Sequence, residues 1–243
     1  MKVDLILQAR IGSTRLPGKT LLPLVGEPLI GRIIERVKRV KNISDIIVAI
    51  PDNSQNVELK NYLSKFNVSV FCGPEDDLVE RYYMAAREYH TDIICRLPAD
   101  NATPEASEID RIINFHKSLS KPGFSSNLAE IYSSGYPDGI GAEVFDFSIL
   151  CDARKKFKNP MKREHVHLNF FDYKTQKAVD NNWCPINTIE CPIEFRRPDL
   201  VLDVNTYEDY LYISQLYQYL YPRNINFTIL DIIQWHDTIY RKD

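Results

Sequence analysis

At 243 residues with 44% hydrophobic content, the chain is long enough to bury a sizeable core as one large domain with an appendage. A formal net charge of −3 excludes a global electrostatic draw toward nucleic acid or an anionic membrane surface, so any positive charge that matters is local. No apolar run approaches the roughly 20 residues of a membrane span, and the start Met1-Lys2-Val3-Asp4 lacks a signal-peptide pattern, which makes a soluble cytoplasmic protein the expectation.

The first predicted element is a buried strand over residues 3–7, and it runs into the loop Gln8-Ala9-Arg10-Ile11-Gly12-Ser13-Thr14-Arg15-Leu16-Pro17-Gly18-Lys19. Gly12 and Gly18 let the backbone bend closely around a polyanion, Ser13 and Thr14 offer hydroxyl and N–H groups, and Arg10, Arg15 and Lys19 bring three cations. Ligands of open α/β sheets bind beyond the carboxyl ends of strands, so this loop is expected to hold phosphate; the alternative is a basic surface loop. It is not a Walker loop, whose G-x-x-x-x-G-K-[ST] spacing demands glycine where Ser13 stands, and it contains no G-x-G-x-x-G.

Further strands are expected over residues 45–50, 68–71 and 92–97, separated by helical patterns. Leu29, Ile30, Ile33, Ile34, Val37 and Val40 form one apolar stripe opposite Arg32, Glu35, Arg36 and Lys38, and Leu78, Tyr82, Ala85 and Ala86 form a second. Strands alternating with helices predict an α/β fold with a mostly parallel sheet and right-handed crossovers. Beyond about residue 124 the pattern loosens. Gly135, Pro137, Gly139 and Gly141 mark turns, residues 142–147 read as a strand, and Pro185, Pro192 and Pro198 make residues 170–200 an extended excursion. Two helices are expected last, over 207–221 and 230–240. No linker splits the chain. Cys72, Cys95, Cys151, Cys184 and Cys191 are odd in number and lack any C-x-x-C pair, so they read as reduced packing residues. Asp100, just past the strand 92–97, falls where a carboxylate would hold Mg2+ against a triphosphate, or where an ordinary turn or N-cap aspartate would sit.

The segment Ala9 to Lys19, an A-R-x-x-S-T-R-L-P-G-K pattern, resembles the amino-terminal signature of the cytidylyltransferases that activate acidic sugars. The similarity is to the spore coat polysaccharide biosynthesis protein F family and to the acylneuraminate and Kdo cytidylyltransferases. It continues through Phe71-Cys72-Gly73-Pro74-Glu75-Asp76-Asp77-Leu78-Val79-Glu80-Arg81-Tyr82, Arg96-Leu97-Pro98-Ala99-Asp100-Asn101, the stretch from Tyr136 to Phe145, Arg163-Glu164-His165-Val166, and Asp203-Val204-Asn205-Thr206-Tyr207-Glu208-Asp209. These matches span most of the chain in the family's order.

That resemblance implies a Rossmann-like nucleotide-diphospho-sugar transferase fold, a mostly parallel sheet with helices on both faces. It implies a single domain over 1–243, with a nucleotide-binding half to about residue 120 and an acceptor-binding and dimerisation half after it. It implies a homodimer joined through a small sheet in the excursion. The implied reaction is attack by an acceptor oxygen on the α-phosphorus of CTP with pyrophosphate leaving, which depends mainly on positioning and charge neutralisation. Arg10 and Lys19, with Arg15 as a third cation, are assigned to the triphosphate, and Asp100 to Mg2+. Leu7, Gln8 and Ala9 would lie near the base and Gly12 and Ser13 near the phosphates. Arg81 would sit near the nucleotide or pair with Asp77 four residues earlier. The family's second metal position holds Asn205 here, which can coordinate Mg2+ through its carbonyl oxygen but brings no charge, and Asp203, two residues earlier and on the same strand face, is the candidate to supply it. Asn127, Asp138, Glu143, Arg163, Glu164 and His165 are the acceptor candidates. Arg163 suits a carboxylate or phosphate, and His165 or Glu143 suits orienting or deprotonating a hydroxyl. His165 and His167 at i, i+2 face opposite sides of a helix, which argues against a two-histidine metal site. The expected partners are CTP and a small acidic acceptor, with a phosphorylated or phosphonate acceptor, another nucleoside triphosphate, or nucleotide binding without turnover as alternatives.

Overall fold

Alternation along the first strand, β1 (Val3–Gln8), decides how the sheet is covered. Leu5 and Leu7 point into one apolar layer and Ile6 into the other, and all three are fully buried, as expected of a strand with helices on both faces. The computed structural model describes residues 1–128 and 131–242. After β1 come a short ladder of β2 (Pro23–Leu24) and β3 (Glu27–Pro28), α1 (Leu29–Val37), β4 (Asp45–Pro51), α2 (Val57–Leu63), β5 (Ser69–Gly73), α3 (Leu78–Glu88) and β6 (Ile93–Pro98). The second half contributes α4 (Ala106–Lys117), β7 (Phe124–Ser126), β8 (Glu143–Asp146), α5 (Phe147–Lys156), α6 (Pro160–Glu164), β9 (Phe171–Asp172), β10 (Lys177–Ala178), β11 (Ile186–Asn187), α7 (Tyr207–Leu220) and α8 (Ile229–Thr238).

Seven strands form the central sheet in the order β11-β7-β8-β6-β1-β4-β5. β1 is parallel to β4 on one side and to β6 on the other, while β8 runs antiparallel to both β6 and β7. The chain therefore leaves β1 toward β4 and β5 and later returns to the opposite side at β6. This reversal opens a crevice beyond the carboxyl ends of β1 and β6, where open α/β sheets bind ligands. One face of the sheet is packed by α1, α2, α4, α7 and α8, the other by α3 and α5.

The apolar stripes lie where their spacing requires. Leu29, Ile30, Ile33, Ile34 and Val37 of α1 and Tyr82, Ala85 and Ala86 of α3 are wholly buried. The predicted strand over 142–147 is one residue too long at each end: Phe147 starts α5, with its N–H donating to the Asp92 carbonyl at 2.9 Å. The excursion differs more. β9 and β10 form a two-residue antiparallel pair, but β11 returns to the central sheet beside β7, held by the Phe124 N–H on the Pro185 carbonyl at 3.0 Å. A two-residue strand carries no periodicity, so its partner is chosen by packing around Trp183, Cys184 and Ile186 against the second core. All five cysteines are free.

Candidate active site

The loop after β1 is fixed by its own backbone and by neighbours that leave its cations outside. The Ser13 N–H donates to the Ile11 carbonyl at 2.8 Å, the Ile11 N–H to Asn56 Oδ1 at 3.0 Å, and the Thr20 hydroxyl to the Arg10 carbonyl at 2.7 Å. Gly18 adopts φ +71°, the left-handed region, immediately before the single helical turn that carries Lys19. Lys19 Nζ then reaches across the crevice to Asp100 Oδ2 at 3.0 Å and to the Val204 carbonyl at 2.7 Å. Arg10 stands half exposed with its guanidinium 3.9 Å from Glu164 Oε1, and Arg15 donates to Asn205 Oδ1 at 2.7 Å. Gln8, Ala9, Arg10, Ser13, Arg15, Lys19, Arg81 and Asp100 line one cavity of about 600 Å3, within the range of small-molecule sites. Leu7 lies one residue behind it, in the core, and Gly12 packs toward Gln55 and Glu75.

Three carboxylates converge on this crevice from separate segments. Asp100 follows β6, Asp138 and Asp203 also line the cavity, and backbone bonds tie the segments together: Val204 N–H to the Asp100 carbonyl at 2.9 Å and Leu202 N–H to the Asp138 carbonyl at 3.1 Å. Gly139 makes the close approach possible. Its φ is +90°, and a Cβ there would stand 2.7 Å from Asp203 Oδ1. That oxygen is buried without a hydrogen-bond partner. Burial and the neighbouring Asp138 and Asp100 carboxylates push the Asp203 carboxyl well above the ordinary aspartate range, against the pull of Lys19; burial likewise raises Asp138. Among the described residues, no group of three His, Cys, Asp or Glu side chains forms a ready-made metal cage. Oxygen donors facing a loop of cations do fit Mg2+, which binds through one or two carboxylates and completes its shell with water and substrate phosphates. Asn205 sits elsewhere. Its carbonyl oxygen is engaged by Arg15, and its N–H donates to Asp209 at 2.9 Å within the capping box that starts α7.

The opposite wall is a buried polar network. Arg96 of β6 lies directly across the ladder from Glu143 of β8 and makes a short ion pair with it; both are more than nine-tenths buried. The Tyr173 hydroxyl donates to Glu143 Oε1 at 3.0 Å, and Arg96 Nε and the Tyr82 hydroxyl both donate to Gln8 Oε1 at 3.1 Å. His167 packs its ring against the edge of Tyr173, and desolvation pushes its pKa down to about 4, so it is neutral at pH 7. The pairing with Glu143 raises Arg96 further above its ordinary value.

Several expected site residues are placed differently. Asn127 is fully buried and spends its amide on the backbone, accepting from the Ala142 N–H at 2.9 Å and donating to the Glu108 carbonyl at 3.0 Å. Arg163 points away from the cavity into Asp77, with its Nε at 2.9 Å, and Glu80. Arg81 does not pair with Asp77. It donates to the Pro74 and Glu75 carbonyls, each at 2.8 Å, because Asp77 is already the N-cap of α3 and the partner of Arg163. His165 and His167 do not face opposite sides of a helix: α6 ends at Glu164, His165 is extended, and both rings line the cavity 6.0 Å apart. Arg96, His167 and Tyr173 were not singled out from sequence. Arg96 had a usable signal, a charge inside the apolar strand Ile93-Ile94-Cys95-Arg96-Leu97; the other two come from irregular chain and had none.

A parallel sheet whose reversal point sets a cationic loop against a carboxylate edge defines the class, a nucleotidyltransferase. A family model for cytidylyltransferases matches residues 5–235, and the chain belongs to that family. It is 30% identical over 218 residues to the spore coat polysaccharide biosynthesis protein SpsF of Bacillus subtilis, covering 88% of this chain and 85% of that one. A cytidylyltransferase structure from Leptospira borgpetersenii superposes with a TM-score of 0.86 at 26% identity, covering 99% and 96% of the two chains. The fold is shared more distantly with CMP:2-keto-3-deoxy-manno-octonic acid synthetase solved with CTP, at a TM-score of 0.64, 17% identity, and 89% and 98% coverage. No helix among the described residues is long and apolar enough to cross a membrane.

Proposed function

We propose that this chain transfers CMP from CTP to an acidic sugar or a related acidic metabolite used in surface polysaccharide or glycoconjugate biosynthesis. The observation that carries the reading is Lys19, anchored at once to Asp100 and to the Val204 carbonyl at the reversal point between β1 and β6. Family membership and the likeness to a spore coat polysaccharide protein support the choice of nucleotide and pathway class.

In this reading Lys19, Arg10 and Arg15 neutralise the triphosphate, Ser13 and the neighbouring backbone position it, and the main chain of Gln8 and Ala9 meets the base beside Arg81. Asp100 and the unpartnered Asp203, with Asp138 behind them, would hold Mg2+, which when bound supplies charge neutralisation at the phosphates. An acceptor hydroxyl oxygen bonds to the α-phosphorus, the bond to the bridging oxygen of the β-phosphate breaks, and pyrophosphate leaves carrying the electron pair. The hydroxyl proton passes to a base on the acceptor wall, where His165 is exposed and His167 is neutral. Glu143, tied to Arg96 and Tyr173, orients that wall. The two halves of the chain, about 1–120 and 121–243, divide nucleotide and acceptor binding between them. We infer a cytoplasmic homodimer joined through the excursion 170–200, which exposes Ile193 at 81% of its surface.

Pyrophosphate release tests the reading, with each of the four nucleoside triphosphates and Mg2+ against sugar acids, sugar phosphates and phosphonates. Release with CTP and a sugar acid is expected. Release with another triphosphate, or with a phosphorylated or phosphonate acceptor alone, would replace the corresponding part of the proposal. Tight CTP binding without release across the panel would favour a binding protein.

A further inference from the structure

A second cavity, of about 250 Å3, lies on the far side of α1, between that helix and the turn that follows α7. Arg32, Arg36 and Arg39 line it together with Tyr217, Tyr221 and Phe227. Arg32 and Arg36 stand one turn apart on α1, and Arg39 follows in the turn just beyond the helix end at Val37.

Three guanidinium groups meet two carboxylates there, Glu35 and Glu105. Arg32 is committed: its Nε donates to the Leu24 carbonyl at 2.9 Å, its Nη2 to the Val25 carbonyl, and its Nη1 to both oxygens of Glu35, at 3.1 and 2.8 Å. Glu35 is thereby used. Arg36, whose side chain is 4% exposed, donates through Nε to the Pro104 carbonyl at 3.0 Å and through Nη1 to the Phe227 carbonyl at 3.1 Å. Its Nη2 is buried with no hydrogen-bond partner. The nearest carboxylate, Glu105, stands 3.6 Å from that nitrogen, close enough to balance its charge without a hydrogen bond, and accepts instead from the Ile229 N–H at 3.0 Å and the Ser107 hydroxyl at 3.2 Å. Arg39 makes one weak contact, from Nε to the Arg36 carbonyl at 3.4 Å, and among the described residues its two terminal nitrogens have no acceptor and no acidic partner within salt-bridge distance. Burial and the adjacent Arg36 charge push Arg39 below its ordinary value. A buried unpaired donor and a half-buried unpaired guanidinium are costly unless an anion completes them.

We propose that Arg36 and Arg39 form a site for a small phosphate-class anion, inorganic phosphate or pyrophosphate, separate from the candidate active-site cavity. Among the described residues, Arg39 brings a charge without an acidic partner and Arg36 a buried N–H without an acceptor, and forked guanidinium N–H groups match tetrahedral phosphate oxygens. A nucleotide fits less well. The aromatic faces that would stack a base are already covered, Tyr221 by the Arg32 guanidinium at 3.9 Å and Phe227 by that of Arg36 at 4.5 Å. The site sits behind both edges of the catalytic crevice: Arg36 holds Pro104, four residues beyond Asp100, and Arg32 holds Leu24, just past the Lys19 turn. Nothing in this assignment depends on CTP turnover, although pyrophosphate is a product of the reaction proposed above.

The test is calorimetric titration of inorganic phosphate and, separately, of pyrophosphate into Arg10→Ala/Lys19→Ala protein, which removes two cations of the catalytic loop. One remaining site is expected for at least one of the two anions, and the arm that binds names the source. Adding Arg39→Gln is expected to weaken that site at least about tenfold, the loss of a charge-assisted contact. As a folding control, Arg39→Gln should melt no lower than its parent in anion-free buffer, and the same anion should raise the melting temperature of the parent alone. Absence of binding to the double variant, or undiminished binding after Arg39→Gln, would overturn the site.

Discussion

The two walls of the catalytic cavity solve opposite problems. On the proposed nucleotide wall Thr20 and Asn56 pin the loop backbone and Lys19 bridges the crevice to Asp100, while Arg10 remains half exposed. On the acceptor wall the charges are spent on each other, with Arg96, Glu143, Tyr173 and Gln8 closed into a buried network. The first wall carries the charge that the proposed triphosphate would meet, and the second holds a shape. Substitutions should therefore cost activity with a smaller loss of stability on the first side and a larger one on the second, and a clean way to break the comparison is to find a residue that does the reverse.

The largest stability effect is expected at Glu143. Glu143→Ala leaves the Arg96 guanidinium buried without its partner, which typically costs about 3–5 kcal/mol; urea denaturation reads this directly. A loss below about 1 kcal/mol would show that water reaches Arg96 and that the acceptor wall is not dry. On the proposed nucleotide wall, Lys19→Ala should cost about 1.5–3 kcal/mol, less than Glu143→Ala, because Lys19 donates to Asp100 and to the Val204 carbonyl at a partly solvated edge. Its turnover in the pyrophosphate assay should fall by about two to three orders of magnitude, the usual effect of removing a preorganised charge-stabilising donor. Retained turnover would remove Lys19 from the phosphate site.

The same contrast explains how much of this molecule was legible beforehand. Strands at 3–7, 45–50 and 92–97 and the apolar stripes of α1 and α3 follow from periodicity, because burial on both sheet faces demands it. That residues of the loop from Gln8 to Lys19 line one cavity fits a reading made from glycine, hydroxyl and cation chemistry that is local in sequence. The acceptor wall was not. Arg163 and Asn127 carry the functional groups an acceptor site needs, yet Arg163 serves Asp77 and Glu80 and Asn127 serves two backbone groups, choices fixed by contacts with residues far along the chain. His167 and Tyr173 enter through a helix break and a two-residue ladder, neither of which leaves a periodic trace.

A pH titration of stability sharpens the description of the acceptor wall. His167 has a pKa near 4 in the folded chain against about 6.5 when unfolded, so the unfolded state takes up a proton first as pH falls. Its contribution is therefore present above pH 6.5 and declines between about 6.5 and 4, by at most about 3 kcal/mol. Carboxylates titrate in part of this window too, so the comparison is with His167→Asn, whose stability should fall less steeply between pH 6.5 and 4. Identical slopes would mean that His167 is solvated.

The smallest effect is expected where the sequence placed a metal ligand and the geometry places a strut. Asn205 gives its carbonyl oxygen to Arg15, and its backbone belongs to the cap of α7, whereas Asp203 presents a buried, unpartnered oxygen to the crevice beside Asp100. Asn205→Asp would add a charge next to Arg15, an exposed pair whose stability contribution is about 0–1 kcal/mol, and should leave the Mg2+ concentration for half-maximal turnover within about twofold of wild type. Asp203→Asn removes a charge from the oxygen cluster itself and should raise that concentration by about tenfold or more, since ligand charge count sets much of the affinity of hard-cation sites. The reverse ranking would return Asn205 to the metal and make Asp203 a structural acid, kept protonated by burial beside Asp138 and Asp100. Because both variants alter only one side-chain group and lie two residues apart, their ratio is insensitive to general damage, and it decides which of the two faces the nucleotide wall.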